Sequence, residues 1–143
     1  MPSIEFHREA LTPTEQAAVA EGFAQHSEAH GAPQYRKAHV KWLVHGDSGE
    51  VSAVLAADLL WDWLYIDELW VTPALRGEGL GRALMQSAES FALTEGLQGL
   101  WLWTQSWQGD GFYSQLGFEE FTRFDAFPVG HTRIGFRKRL TTD

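Results

Sequence analysis

The sequence predicts a mixed α/β fold. Several short segments carry strand-like alternation, two longer segments carry helical signals, and one strand-helix-strand unit sits at the centre of the chain. In that unit, residues 64–71 read as a strand, and Pro73 closes it because proline cannot donate to a ladder. Leu80, Leu84, Ala88 and Phe91 then recur at near-helical spacing, with Arg82, Gln86 and Glu89 on other faces, and Gly96 ends the helix. Residues 97–104 alternate again, Leu100 and Leu102 on one side and Trp101 and Trp103 on the other. Such a crossover is right-handed and makes its two strands parallel, so a ligand on the connecting loop lies beyond their carboxyl ends.

The other elements follow in order. Residues 4–8 read as a first strand. Thr12-Pro13-Thr14-Glu15 opens a helix, with a capping threonine, proline in the first turn and glutamate three residues after the cap, and this helix runs toward His30 before Gly31-Ala32-Pro33. Residues 36–45 and 51–60 form a hairpin around Gly46-Asp47-Ser48-Gly49. Residues 110–116 form a short helix, and residues 118–124 and 132–140 the last strands. No repeat, low-complexity tract or linker interrupts the chain, so residues 1–143 are expected to be one domain, large enough to bury about two thirds of the unfolded surface.

The strand before the loop is irregular. Ile66, Leu69 and Val71 should all face inward, yet Ile66 to Leu69 is an odd step that puts them on opposite faces of a regular strand. One extra residue, a bulge at Asp67 or Glu68, restores the phase, and bulges often adjoin active sites.

Composition bounds the function. Hydrophobic residues make up 44% and charged residues 21% of the chain, which suits a globular protein. No apolar run approaches spanning length and the N-terminus has no charged-then-apolar leader, so a cytoplasmic protein without a membrane partner is expected. Zero cysteines exclude disulfides, thiolate metal sites and an acyl-cysteine intermediate. A net charge of −8 repels nucleic acid at long range, and no nucleic-acid partner is expected. Arg123, Arg133, Arg137, Lys138 and Arg139 read mainly as the solvated side of a terminal strand. His26 and His30 stand four apart, as metal ligands can, but no third ligand accompanies them, and no metal is expected.

The stretch richest in chemistry is Arg76-Gly77-Glu78-Gly79-Leu80-Gly81. Its three glycines let successive N–H groups converge on one anion, the helix that follows adds its N-terminal dipole, and Arg76 can fork onto phosphate oxygens. Gly81 is followed by Arg82 and Ala83 rather than lysine and a hydroxyl, which disfavours a nucleoside-triphosphate loop. The glycine spacing and late position disfavour a dinucleotide fingerprint. A pyrophosphate-bearing cofactor remains the leading expectation, with a ligand-free glycine turn as the alternative.

Two motifs now resemble one family. Val71-Thr72-Pro73-Ala74-Leu75-Arg76-Gly77-Glu78-Gly79-Leu80-Gly81, followed by Phe112-Tyr113-Ser114-Gln115-Leu116-Gly117-Phe118, is similar to the paired motifs of the GNAT superfamily of acetyl-CoA-dependent N-acetyltransferases. The ending Pro128-Val129-Gly130-His131-Thr132-Arg133 also resembles small bacterial members. The resemblance implies a mixed, mostly antiparallel sheet of about six to seven strands with a central splayed parallel pair and flanking helices. It implies acetyl-CoA as acyl donor, a small-molecule amine as acceptor, and room for a homodimer.

By the same resemblance, the main chain of Leu69, Trp70 and Val71 holds the pantetheine arm and acetyl carbonyl. Arg76, Gly77, Glu78, Gly79, Leu80, Gly81 and Arg82 hold the pyrophosphate. Ser106, where the family often has asparagine, is a further cofactor contact. Tyr113 is the expected proton donor to the departing thiolate, since a phenol of pKa about 10 stays protonated at neutral pH. A free alkylamine also has a pKa of about 10, so a carboxylate must take its proton directly or through water, and Glu68 and Asp67 are the candidates, with Asp62 weaker. One or two of the seven tryptophans could line an acceptor cleft while the rest pack the core. A binding module without turnover, or acetylation of a protein or RNA-linked amine, are the alternatives.

Overall fold

Six strands form a single sheet in the computed structural model, in the order β1-β2-β3-β4-β6-β5, and the structure describes residues 1–108 and 111–140. The strands are β1 (Lys37–His45), β2 (Val51–Leu60), β3 (Trp63–Val71), β4 (Gly99–Gln105), β5 (Glu119–Asp125) and β6 (Thr132–Arg139). Only β3 and β4 run parallel, joined through helix α2 (Leu80–Thr94), and every other neighbouring pair is antiparallel. This is the mixed, mostly antiparallel sheet expected from the sequence. A one-turn helix α3 (Phe112–Gln115) precedes β5, and Asp110, expected to begin it, lies outside the described residues. Among the described residues no helix is long and apolar enough to cross a membrane.

The chain divides into two compact units, Met1–Tyr35 and Arg36–Asp143. The first contains helix α1 (Pro13–Ala29). Its start carries the predicted capping box: the Thr12 hydroxyl accepts from the Glu15 N–H at 3.2 Å, and the Glu15 carboxylate accepts from the Thr12 N–H at 2.7 Å. The strand expected at residues 4–8 does not form, and Ile4 and Phe6 are 99% and 81% exposed. Alternation alone makes no strand; a ladder partner is required, and the six strands of the sheet pair with one another only.

The second unit holds the core. The side chains that alternate onto one sheet face, including Leu55, Leu64, Leu100 and Leu102, are fully buried against Leu84, Met85, Ala88 and Ala92 of α2. Each such leucine contributes about 1.5–3 kcal/mol by leaving water. α2 stops where Gly96 turns left-handed at φ 71°: the Leu97 N–H donates to Ala92 C=O at 2.9 Å and the Gly96 N–H to Leu93 C=O at 3.1 Å. That stop aims β4 back along β3. At Gly99 a Cβ would fall 2.3 Å from Lys138 O and 2.7 Å from the Trp63 ring, so only glycine admits this approach of β3, β4 and β6.

Candidate active site

The ladder between β2 and β3 is regular until one residue breaks it. β2 and β3 pair in register from Leu60↔Trp63 to Ala57↔Ile66, and the next partner of the ladder is Ala56↔Glu68. Asp67 is therefore the extra residue, and the bulge predicted from the odd spacing falls there. Beyond it Leu69 and Val71 return to the core phase, packed against the buried cluster. The parallel pairing of β3 with β4 ends at the same place, at Ile66↔Leu102, although β3 continues to Val71 and β4 to Gln105. The two strands diverge, so alternate backbone groups of residues 67–71 face a gap with no strand opposite.

That gap opens into a cleft of about 840 Å³. Its walls come from residues 66–71 of β3, residues 102–104 of β4, the loop before α2, and Phe112, Tyr113 and Gln115 of α3. The loop leaves β3 through a 3-10 turn, Pro73–Leu75, and reaches α2 through Gly77 and Gly79, at φ 83° and 85°. No atom lies within 4 Å of where a Cβ would stand on either glycine, so the approach to the first amides of α2 is open. Gly79 is the N-cap and offers no side-chain cap, which leaves amides of the first turn free to donate to an anion. Arg76 lines the cleft, and its Nε donates to Val71 C=O at 2.9 Å. One edge of its guanidinium thus ties the loop to the end of β3, and the remaining donors are available to a ligand.

Most of the sequence-predicted site residues converge here. Asp67, Glu68, Leu69, Trp70, Val71, Arg76, Gly77, Gly79, Leu80, Gly81, Arg82 and Tyr113 all line the cleft. Glu78 is exposed and does not line it, and neither does Ser106. The Ser106 hydroxyl instead accepts from the Thr132 N–H at 3.2 Å, and the Ser106 N–H donates to Thr132 C=O at 2.8 Å, a clasp that joins the end of β4 to the start of β6. Asp62 sits before the first residue of β3, at the end of the strand opposite to the bulge. His30 Nδ1 lies 2.9 Å from His26 O, and no group of three or more metal-ligating side chains occurs among the described residues.

Tyr113 is placed by aromatic packing. Its ring centroid lies 5.0 Å from Phe112, its neighbour in α3, and 5.9 Å from both Phe118, just before β5, and Phe136 of β6, contacts that together fix its direction. Burial pushes the phenol above its usual range, which keeps it protonated. Among the described residues the hydroxyl has no hydrogen-bond partner, so its proton is uncommitted.

The face of the sheet away from α2 carries an aromatic wall that local spacing did not distinguish from core. Tyr65 and Trp101, side by side on β3 and β4, have centroids 4.5 Å apart. Arg133 lies over Trp103 at 4.9 Å and over Phe127 at 5.1 Å. Gly135 stands opposite Trp103, where a Cβ would be 2.7 Å from Thr122 and 3.1 Å from Phe121, so the rings close over a glycine. Burial raises the Tyr65 hydroxyl above its usual range, the Asp67 charge adds to this, and Arg133 opposes it. Trp103, Trp107, Thr104 and Phe112 of the cleft were not singled out as site residues from sequence; the Leu100/Leu102 against Trp101/Trp103 alternation was the signal that could have found Trp103.

The chain belongs to the GNAT acetyltransferase family, whose model matches residues 5–118. The blasticidin-S acetyltransferase of Streptomyces morookaense is 36% identical over 88 residues, 61% of this chain and 65% of that relative. The chain thus matches just under two thirds of that relative's length. Among solved structures, an acetyltransferase from Bacillus cereus is similar with a TM-score of 0.79 at 26% identity, over 94% of this chain and 98% of that one. A structure from Agrobacterium tumefaciens described as an acetyltransferase gives 0.81 at 20% identity, over 96% and 100% of the two chains, a likeness of fold.

Proposed function

We propose that this protein binds acetyl-CoA in the cleft between β3 and β4 and transfers the acetyl group directly to a primary amine of a small molecule. The observation that carries the reading is the meeting of two features at one cleft: a sheet opened by the Asp67 bulge and an uncapped helix N-terminus behind open, left-handed glycines. Either alone is ordinary. Together they match a ligand with an amide-bearing arm at one end and a pyrophosphate at the other.

Acetyl-CoA, when bound, supplies an acyl carbon activated by a thiolate leaving group. The chain's own residues do the rest. Amides of the Arg76–Gly81 loop and the free guanidinium edge of Arg76 hold the pyrophosphate. Main-chain groups of Leu69, Trp70 and Val71 take the place of a ladder partner along the arm and donate to the acyl oxygen as it gains charge. Glu68 or Asp67 takes the proton of the incoming amine, directly or through water, and Tyr113 gives its proton to the sulfur. The chain has no cysteine to form an acyl-cysteine, which supports direct transfer in a ternary complex.

A small-molecule acceptor is supported by the blasticidin-S acetyltransferase among the relatives and by the acidic balance, which does not favour nucleic acid. The test is acetyl transfer from acetyl-CoA to a panel of polyamines, amino acids, aminoglycosides and peptides. Turnover on small amines is expected. Coenzyme A binding without any turnover would make the protein a binding module, and turnover on peptides alone would move the acceptor to protein amines.

A further inference from the structure

The five basic residues near the C-terminus are not equivalent. Arg123 is paired with Glu120, Arg137 with Glu119 at 3.0 Å, and Lys138 with Glu89 at 2.9 Å. Arg139 lies over Trp63 at 5.6 Å, opposite Gly99, at the closed end of the parallel pair. Of the two not matched to a glutamate, Arg133 stands at the open end, in register with Gln105, the last residue of β4. Among the described residues no carboxylate lies within salt-bridge distance of it.

Its surroundings orient it without neutralising it. The residue is half-buried, with its guanidinium carbon 4.9 Å from the Trp103 ring centroid and 5.1 Å from that of Phe127. Contacts with ring faces restrain a guanidinium and strip water from it while leaving in-plane N–H donors, the edge that matches a carboxylate. The Tyr65 hydroxyl feels the positive charge of Arg133, which works against the effect of burial, and it also feels the charge of Asp67. Asp67 and Trp103 both line the cleft. The acid that would take an amine's proton thus lines the same cleft as the tryptophan on which this restrained cation, without a carboxylate partner, is stacked. In a chain of net charge −8, where three of the neighbouring basic residues are matched to glutamates, an arginine serving only to hold β6 against Phe127 would need no free edge.

We propose that Arg133 receives a carboxylate of the acceptor, so that the substrate is an amino-acid-like molecule with its amine at Asp67 and Glu68 and its carboxylate at Arg133. This rests on the amine-acetylation reading above and names its substrate class. A local clamp of this kind offsets the long-range repulsion that an acidic chain exerts on an anionic acceptor.

The experiment offers each of a series of α-, β- and ω-amino acids to the full chain both as the free acid and as the primary amide, with acetyl-CoA as donor. For the acceptors used, the wild type should favour the acid by about 10- to 100-fold in kcat/KM, the ratio expected from a hydrogen-bonded charge pair. Arg133→Gln should lower kcat/KM on the acid by a similar factor, mainly through KM, and bring the acid-to-amide ratio toward one. Arg133→Lys should recover part of it. Equal rates on acids and amides in the wild type would overturn the assignment while leaving amine acetylation standing, and so would an Arg133→Gln variant that loses both alike. Coenzyme A binding with no turnover on any amine would overturn both.

Discussion

Replacing Gly79 by valine separates two roles that one glycine could have. Its backbone is left-handed at φ 85°, a conformation that costs a side-chain-bearing residue about 1–2 kcal/mol, but no atom lies within 4 Å of the Cβ position. The intramolecular penalty is therefore backbone strain without collision, worth a fall of about 3–8 °C in Tm for a chain of this size. Binding should suffer far more. If the isopropyl group stands where the pyrophosphate approaches and keeps it from two amides, the loss is about 3–6 kcal/mol, at least about 100-fold in Kd. Gly49→Val supplies the matched control, because Gly49 is also left-handed, at φ 84°, with open space around it, in the β1–β2 turn. Calorimetric titration of coenzyme A into wild type and both variants, alongside thermal melts, reads the two effects separately. A Gly79→Val protein that melts a few degrees lower yet binds coenzyme A within threefold of wild type would refute the placement of the pyrophosphate.

Tyr113→Phe keeps the packing against Phe112, Phe118 and Phe136 and removes an uncommitted proton, so kcat should fall by about 10²- to 10⁴-fold with little change in Tm or in KM for acetyl-CoA. Because burial raises the folded-state pKa of this phenol, its contribution to stability is complete below the unfolded value near 10 and is lost as pH rises through the folded value; denaturation above pH 10 should show a weaker alkaline decline in the variant. Glu68→Gln or Asp67→Asn should reduce turnover at neutral pH, with a deficit that shrinks toward pH 10 as the free amine loses its own proton; a loss constant across pH 6 to 10 would assign the residue a structural role. Deleting Asp67 should leave β2 and β3 in regular register, with Ala57↔Ile66 followed by Ala56↔Glu68, and keep the protein folded while abolishing coenzyme A binding; retained affinity would show that the bulge does not open the cleft.

What the sequence made legible was local. The bulge could be located to within one residue because core-facing side chains must share a parity along a strand, and Ile66, Leu69 and Val71 do not. The parallel pair followed from a crossover containing one helix, and the start of α1 from Thr12 and Glu15. What stayed hidden depends on partners far along the chain. Ser106 is held by Thr132, 26 residues away, and Lys138 by Glu89, 49 residues away, and no spacing within a segment reports either bond. The Arg76 Nε is engaged by Val71 C=O because the loop folds back on its own strand. Residues 4–8 alternate like a strand but find no ladder, since pairing is decided by the neighbours an element meets and not by its own pattern.

The four-residue contact between β3 and β4 also divides the sheet of the second unit in two. On one side lie β1, β2 and β3, on the other β4, β6 and β5, each joined by long antiparallel ladders, and the two leaves share only the pairs from Trp63↔Gly99 to Ile66↔Leu102. The sheet is thus a pair of three-stranded leaves on a short seam, with α2 packed across them on one face. An extended molecule lying in the mouth of that seam would act as a splint: backbone groups of residues 67–71 that face open space would gain partners, the two leaves would be tied together beyond Ile66, and occupancy by the donor would set the spacing presented to the acceptor. Loading one substrate and shaping the seat for the other would then be the same mechanical event.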